Sequence, residues 1–270
     1  HTAWVSRLCD NSLGRRIYGD INRYGVDTEG IIWTVQDRNE VFFVEYGSSP
    51  RPIQVLYDRK YSAISNIKFE QLDLDYLLNT KIIHLTGILA ALSESCVDII
   101  HKLIDTAKEK GVKVSFDVNY RAKLWNPEDA VKTLTPILKK SDIIMITQED
   151  AEHVFGITGT PEKIASAFQI EFNPEVTVIT LGSEGGIAFN NKSLYRTNGY
   201  NVEVQDRLGA GDCFAAGFLC GYLEDSLQLG MEYAGAMAAL KMGIKGDYFV
   251  SNRSEVMALL KSTGGREVGR

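Results

Sequence analysis

Short β-rich runs alternate along this chain with apolar residues at helical spacing, the pattern of a mostly parallel sheet flanked by helices. The clearest strands fall at Lys81–Thr86, Val112–Asp117, Asp142–Thr147 and Glu175–Leu181. Between them the helix starts are punctuated: Asn126 stands before Pro127 with Asp129 three residues after the cap, and Thr160 stands before Pro161. Each pairs a side-chain acceptor with a proline that needs no N–H partner in the first turn. Gly111 and Gly156 supply stops. Gly186–Phe189, Ser193–Thr197 and Tyr200–Gln205 read as antiparallel strands, and helices over Ala210–Glu224, Leu227–Met242 and Arg253–Lys261 follow.

One segment breaks the alternation. Ile31–Val35, Glu40–Tyr46 and Pro52–Arg59 read as three strands with no helix between them, so they are expected to form a small separate sheet. Inserts of this kind act as lids or oligomer contacts. With no internal repeat, low-complexity tract or long linker, the chain reads as one α/β core, 1–30 and 60–270, carrying a β lid over 31–59. Along the lid Val41 and Phe43 alternate with Phe42 and Val44, which gives it two apolar faces. The expectation is that Phe42 turns toward a ligand and the other face is covered by a second lid, in a homodimer or a higher homo-oligomer.

Composition narrows the function classes. At 270 residues with 44% hydrophobic and 24% charged positions, the chain can bury a large core. A net charge of −6 argues against nucleic acid as a main partner. Cys9, Cys96, Cys213 and Cys220 are spread without a CxxC pair, which points away from zinc and toward a reducing cytoplasm. No apolar run approaches the roughly 20 residues of a membrane helix, so no membrane partner is expected.

The chemistry is concentrated in Asp206-Arg207-Leu208-Gly209-Ala210-Gly211-Asp212, at a junction leading into a helix. The glycines permit a sharp turn, and the helix start presents unpaired N–H groups and the positive end of its dipole, a place suited to an anion. Asp212 falls in the first helical turn, where a carboxylate can take a hydroxyl proton while the N–H groups of Gly209, Ala210, Gly211 and Asp212 stabilise a phosphoryl group in transfer. A plain glycine turn with Asp212 complementing the dipole is the other reading. No Lys-Ser/Thr pair follows, so the segment is not a Walker loop.

Extended through Cys213-Phe214-Ala215-Ala216-Gly217-Phe218-Leu219, this segment resembles the C-terminal signature of the ribokinase-like, or PfkB, carbohydrate kinases. Val5–Gly14, Gly25-Val26-Asp27-Thr28, His84-Leu85-Thr86-Gly87-Ile88 and Thr180–Gly186 follow in that family's order. Within the family, Phe116-Asp117-Val118-Asn119-Tyr120-Arg121-Ala122-Lys123-Leu124-Trp125 is similar to the DxNxRxxLW element of 2-keto-3-deoxygluconate kinases, and Tyr57–Ala63 to their YxRxxSA segment.

The resemblance implies a ribokinase-like α/β sandwich and transfer of the γ-phosphoryl group of ATP, with Mg²⁺, to a primary hydroxyl of a small acid sugar. It implies Asp212 as base, sugar contacts at Phe42, Tyr57, Arg59, Ile88, Arg121 and Asp247, and nucleotide contacts at Asn119, Gly182, Ser183, Gly185, Gly209 and Gly211. A guanidinium is a planar, bidentate match for a carboxylate, which supports Arg59 and Arg121 in that role. Asp150 is the implied metal position, although Thr147-Gln148-Glu149-Asp150 replaces the family's NxxE. Arg207 stands where a small polar residue is usual, which tells against a monovalent-cation site in that loop. His84, His101 and His153 have no metal spacing. The family's opening strand and GGxxxN segment do not occur before His1-Thr2-Ala3-Trp4, and the sequence is read as beginning after them. The alternatives are a neutral-sugar or nucleoside kinase of the same family, or a ligand-binding regulator that has lost catalysis.

Overall fold

The computed structural model describes residues 1–47 and 50–264; positions 48, 49 and 265–270, inside the expected lid and core ranges, lie outside the described residues. In chain order the elements are β1 Ser6–Cys9, α1 Ser12–Asn22, β2 Ile31–Thr34, β3 Val41–Glu45, β4 Gln54–Asp58, α2 Leu74–Leu77, β5 Ile82–Thr86, α3 Gly87–Ala90, α4 Glu94–Glu109, β6 Lys113–Asp117, α5 Pro127–Leu138, β7 Ile143–Thr147, α6 Gln148–His153, α7 Pro161–Phe172, β8 Val176–Thr180, β9 Gly185–Phe189, β10 Leu194–Asn198, α8 Ala210–Leu223, α9 Leu227–Met242 and α10 Arg253–Gly264. The strands form a six-stranded, mostly parallel sheet in the order β10-β9-β8-β7-β6-β5 and two two-stranded sheets, β1-β2 and β3-β4. The chain divides into two compact units, 1–115 with 120–137, and 116–119 with 138–270.

In the first unit, β1 pairs in parallel with β2, from Ser6 opposite Ile31 to Cys9 opposite Thr34. This corrects the expected three-stranded sheet: Ile31–Thr34 does not join it, because its backbone pairs with β1, where Ile31 and Thr34 are buried. The small sheet expected to act as a lid is the antiparallel pair β3-β4, with Phe42 opposite Tyr57 and Phe43 opposite Leu56. Helix α4 is capped by Ser93, whose hydroxyl accepts from the Cys96 N–H, and buries Cys96, Ile99, Ile100, Leu103, Ile104 and Ala107 along one stripe. Asn126 caps α5 reciprocally: its Oδ1 accepts from the Asp129 N–H at 2.8 Å while its Nδ2 donates to the Asp129 carboxylate at 2.9 Å.

In the second unit, β7 and β8 are parallel and β8, β9 and β10 antiparallel. Ile143–Ile146 and Val176–Ile179 are buried without alternation, as strands covered on both faces must be. Helices α8 and α9 touch backbone to backbone: a Cβ at Gly221 would lie 2.2 Å from the Gly230 nitrogen, so only glycine fits. The expected strand Tyr200–Gln205 is absent. Its backbone is instead an irregular approach to α8, fixed where the Gln205 and Asp206 N–H groups donate to the Met242 carbonyl at 2.8 and 3.2 Å. Among the described residues no helix is long and apolar enough to cross a membrane.

Candidate active site

The second unit holds the glycine-rich turn. Asp206, 1% exposed, is its internal brace: one carboxylate oxygen accepts from the Leu208 N–H and the other from the Gly246 N–H, each at 3.0 Å. Gly209 then adopts φ 76°, and a Cβ there would stand 2.8 Å from the Asp247 carbonyl, so the turn and the 243–247 segment meet through a glycine. Helix α8 begins at once, with no side-chain cap on its N-terminus. The Ala210 N–H donates to the Arg207 carbonyl at 3.2 Å, which removes it from the expected row of free donors. No carbonyl among the described residues accepts from the N–H of Gly211 or Asp212. Those two donors are open at the start of α8, an end whose dipole suits an anion, and the Asp212 side chain is exposed there. Behind it, Cys213 is buried; burial, reinforced by the Asp212 charge and opposed by that of Lys241, pushes its thiol up to about 11.

Other expected residues of this unit are accounted for differently. Gly182 and Ser183 lie exposed on a short 3-10 turn. Gly185 is buried at φ 91°, where a Cβ would collide with the Thr197 carbonyl at 2.2 Å, so it serves the packing of β9 on β10. Asn119 sits at φ 41°, its N–H and Nδ2 directed to the two oxygens of Asp117 at 3.1 and 3.2 Å. Its Oδ1 is buried and has no hydrogen-bond partner among the described residues. Thr147 caps α6 by accepting from the Asp150 N–H at 2.9 Å, so the Thr that replaces the family's Asn retains a capping role. No group of three or more His, Cys, Asp or Glu side chains among the described residues is gathered as a metal cage.

The first unit carries the two arginines. On the lid, Glu40, Phe42 and Val44 share a face with Val55, Tyr57 and Arg59, as the strand register requires. Arg59, its side chain 14% exposed, lies with its guanidinium carbon 4.2 Å from the Tyr57 ring centre and its Nε 3.7 Å from Glu40, and that Nε has no hydrogen-bond partner. The Phe42 and Tyr57 rings are 5.9 Å apart. Burial pushes the Glu40 carboxyl up, against the pull of Arg59 and Arg38. Arg121 is exposed and donates to its neighbour's carbonyl, that of Tyr120, at 2.8 Å. Its loop is tied to the lid by Lys123, whose ammonium donates to the Val55 carbonyl at 2.9 Å. Ile88 is half-buried in α3, directly after β5. Sequence reasoning missed Glu40 and Lys123. Strand alternation opposite Arg59 could have found Glu40, whereas nothing local signals a contact spanning 68 residues.

A two-glycine turn opening α8, with an exposed carboxylate in its first turn, is the arrangement that the resemblance to ribokinase-like kinases implies. Comparison with known proteins agrees. Residues 1–252 match the pfkB family carbohydrate kinases. The 2-dehydro-3-deoxygalactonokinase of Haloferax volcanii is 31% identical over 260 residues, covering 96% of this chain and 81% of that protein. The crystal structure of 2-dehydro-3-deoxygluconokinase from Thermotoga maritima superimposes with a TM-score of 0.90 at 33% identity, covering 96% of this chain and 83% of that one. An ATP-dependent 6-phosphofructokinase of Thermoanaerobacterium thermosaccharolyticum is 30% identical over 243 residues, 88% of this chain and 72% of that protein. The chain belongs to the pfkB family of carbohydrate kinases, a family that uses ATP, and it is a sugar kinase.

Proposed function

We propose that this kinase transfers the γ-phosphoryl group of ATP to the primary hydroxyl of a small acid sugar, 2-keto-3-deoxygluconate, giving its 6-phosphate. The observation that carries the reading is the exposed Asp212 carboxylate beside the unpaired N–H groups of Gly211 and Asp212. In this mechanism Asp212 accepts the proton of the attacking hydroxyl, and the two N–H groups stabilise charge on the phosphoryl oxygens as the bond to the leaving phosphate lengthens. ATP supplies the phosphoryl group, and Mg²⁺ neutralises its phosphates. The orphaned acceptor of Asn119 and the exposed Gly182–Ser183 turn are the residues offered to the nucleotide, and Asp150 is the side chain offered toward the metal. Arg59 and Arg121 support the acid-sugar choice, as do relatives that act on 2-dehydro-3-deoxy sugar acids. A neutral-sugar reading is supported by one observation: a probable fructokinase of Arabidopsis thaliana matches at 28% identity over 269 residues.

Asp212→Asn keeps the shape of the side chain and cannot take a proton. Turnover is expected to fall roughly 10²–10⁴-fold, with sugar affinity by calorimetry changing little. Turnover near that of the parent would remove Asp212 as the base.

A further inference from the structure

Lys241 is fully buried, at 0% exposure, among the largest wholly enclosed side chains of the protein, and no step above uses it. An ammonium has three donors to satisfy, and a buried one without compensation is costly. Here one acceptor is found among the described residues, the Ile244 carbonyl at 3.1 Å. The position of the side chain explains the arrangement. Lys241 lies in the last turn of α9, and its chain runs along the glycine turn so that its Cε would lie 3.5 Å from a Cβ on Gly209. The residues it touches belong to the two segments that Asp206 also bridges, through Leu208 on one side and Gly246 on the other. A carboxylate and an ammonium, both removed from water, thus brace the same turn, and the free N–H groups of Gly211 and Asp212 follow directly from it. The Cys213 thiol, one residue further on, feels the charges of both Asp212 and Lys241.

We propose that Lys241 is a positioning residue for phosphoryl transfer: its buried ammonium pins the 243–247 segment beside Gly209 and places fixed positive charge behind the start of α8. Two positive features then converge on one spot, the helix terminus in front and the ammonium behind it. The turn is held ready for an anion before one arrives, and no reorganisation is needed as charge grows on the phosphoryl group. This rests on the reading of Gly209–Asp212 as the transfer site.

The test replaces the charge while keeping the bulk. Lys241→Met in the full-length enzyme is expected to lower kcat about 10–100-fold, with KM for sugar and ATP within threefold. Lys241→Ala, which leaves space for a small cation, is expected to recover at least fivefold on addition of ethylammonium chloride, and not on addition of tetramethylammonium chloride at equal ionic strength. Turnover of Lys241→Met within twofold of the parent overturns the proposal, and so does a loss in Lys241→Ala that ethylammonium leaves unchanged, an outcome readable even if the methionine variant fails to fold. Asp212→Asn measured alongside separates the two readings. Full activity there overturns the transfer site itself, whereas an inactive Asp212→Asn with a fully active Lys241→Met overturns only the role of Lys241.

Discussion

Two arginines predicted for one task are held in opposite ways. Arg59 is nearly enclosed, stacked on Tyr57 with an Nε that has an ion-pair neighbour in Glu40 but no hydrogen bond among the described residues, whereas Arg121 is exposed and, among those residues, bonds only the carbonyl of Tyr120. Arg121 can therefore turn to a ligand at little internal cost. Its hydrogen bonds to a carboxylate are worth about 1.5–3 kcal/mol, so Arg121→Ala should raise KM for 2-keto-3-deoxygluconate roughly tenfold to a hundredfold. A neutral sugar accepted as a poor substrate should keep its KM within threefold; equal losses for both would assign Arg121 to another role. The thiols provide an independent check on the surroundings of Asp212. Cys9, Cys96 and Cys213 are buried and Cys220 is exposed, so one of the four should react with a thiol reagent in the native protein. An unfolded thiol loses its proton near 9.0, while that of Cys213 is kept to about 11. Between those values the folded state binds the extra proton, so its contribution is complete below pH 9 and is lost as pH rises toward 11. Urea melts at pH 8 and 10.5 should show the parent losing on the order of 1–2 kcal/mol more than Cys213→Ala.

At the scale of elements, the β3-β4 sheet presents an apolar face that the described residues leave exposed. Phe43 is 62% and Leu56 66% exposed, opposite each other on the face that does not carry Phe42 and Tyr57. A second lid is the proposed cover, packing like on like as a two-fold dimer requires. Light scattering should give twice the 30.0 kDa chain mass, and Leu56→Glu should return the protein to one chain mass. A monomeric parent at micromolar concentration would contradict this arrangement. Elements whose ends carry their own chemistry were legible in the sequence: Asn126 and Thr160 do cap their helices, and the strands β5 to β8 fall within a residue of their predicted bounds. What was not legible depends on partners far along the chain. Ile31–Thr34 has the composition of a lid strand and is drawn away by β1, and Tyr200–Gln205 alternates like a strand but has Met242 to bond instead of a ladder. The same division holds at the site. The glycines and Asp212 follow from their local pattern, while Lys241, Glu40 and Lys123 owe their places to contacts the pattern does not contain.

For the whole molecule, a net charge of −6 sets a requirement, since the proposed acid sugar and a nucleoside triphosphate are both anions. Binding them needs positive charge placed locally rather than spread over the surface. Each unit supplies its own: Arg59 and Arg121 in the first, Lys241 and the start of α8 in the second. The family makes this chain a sugar kinase; that local charges select an acid among sugars is the proposal, and it is the central claim. The most direct measurement is ADP release, by a coupled assay with ATP and Mg²⁺, across 2-keto-3-deoxygluconate, 2-keto-3-deoxygalactonate, fructose and ribose under identical conditions. The account predicts that the two sugar acids exceed both neutral sugars in kcat/KM by at least a hundredfold, with 2-keto-3-deoxygluconate first. A neutral sugar turned over as efficiently as either acid would contradict it.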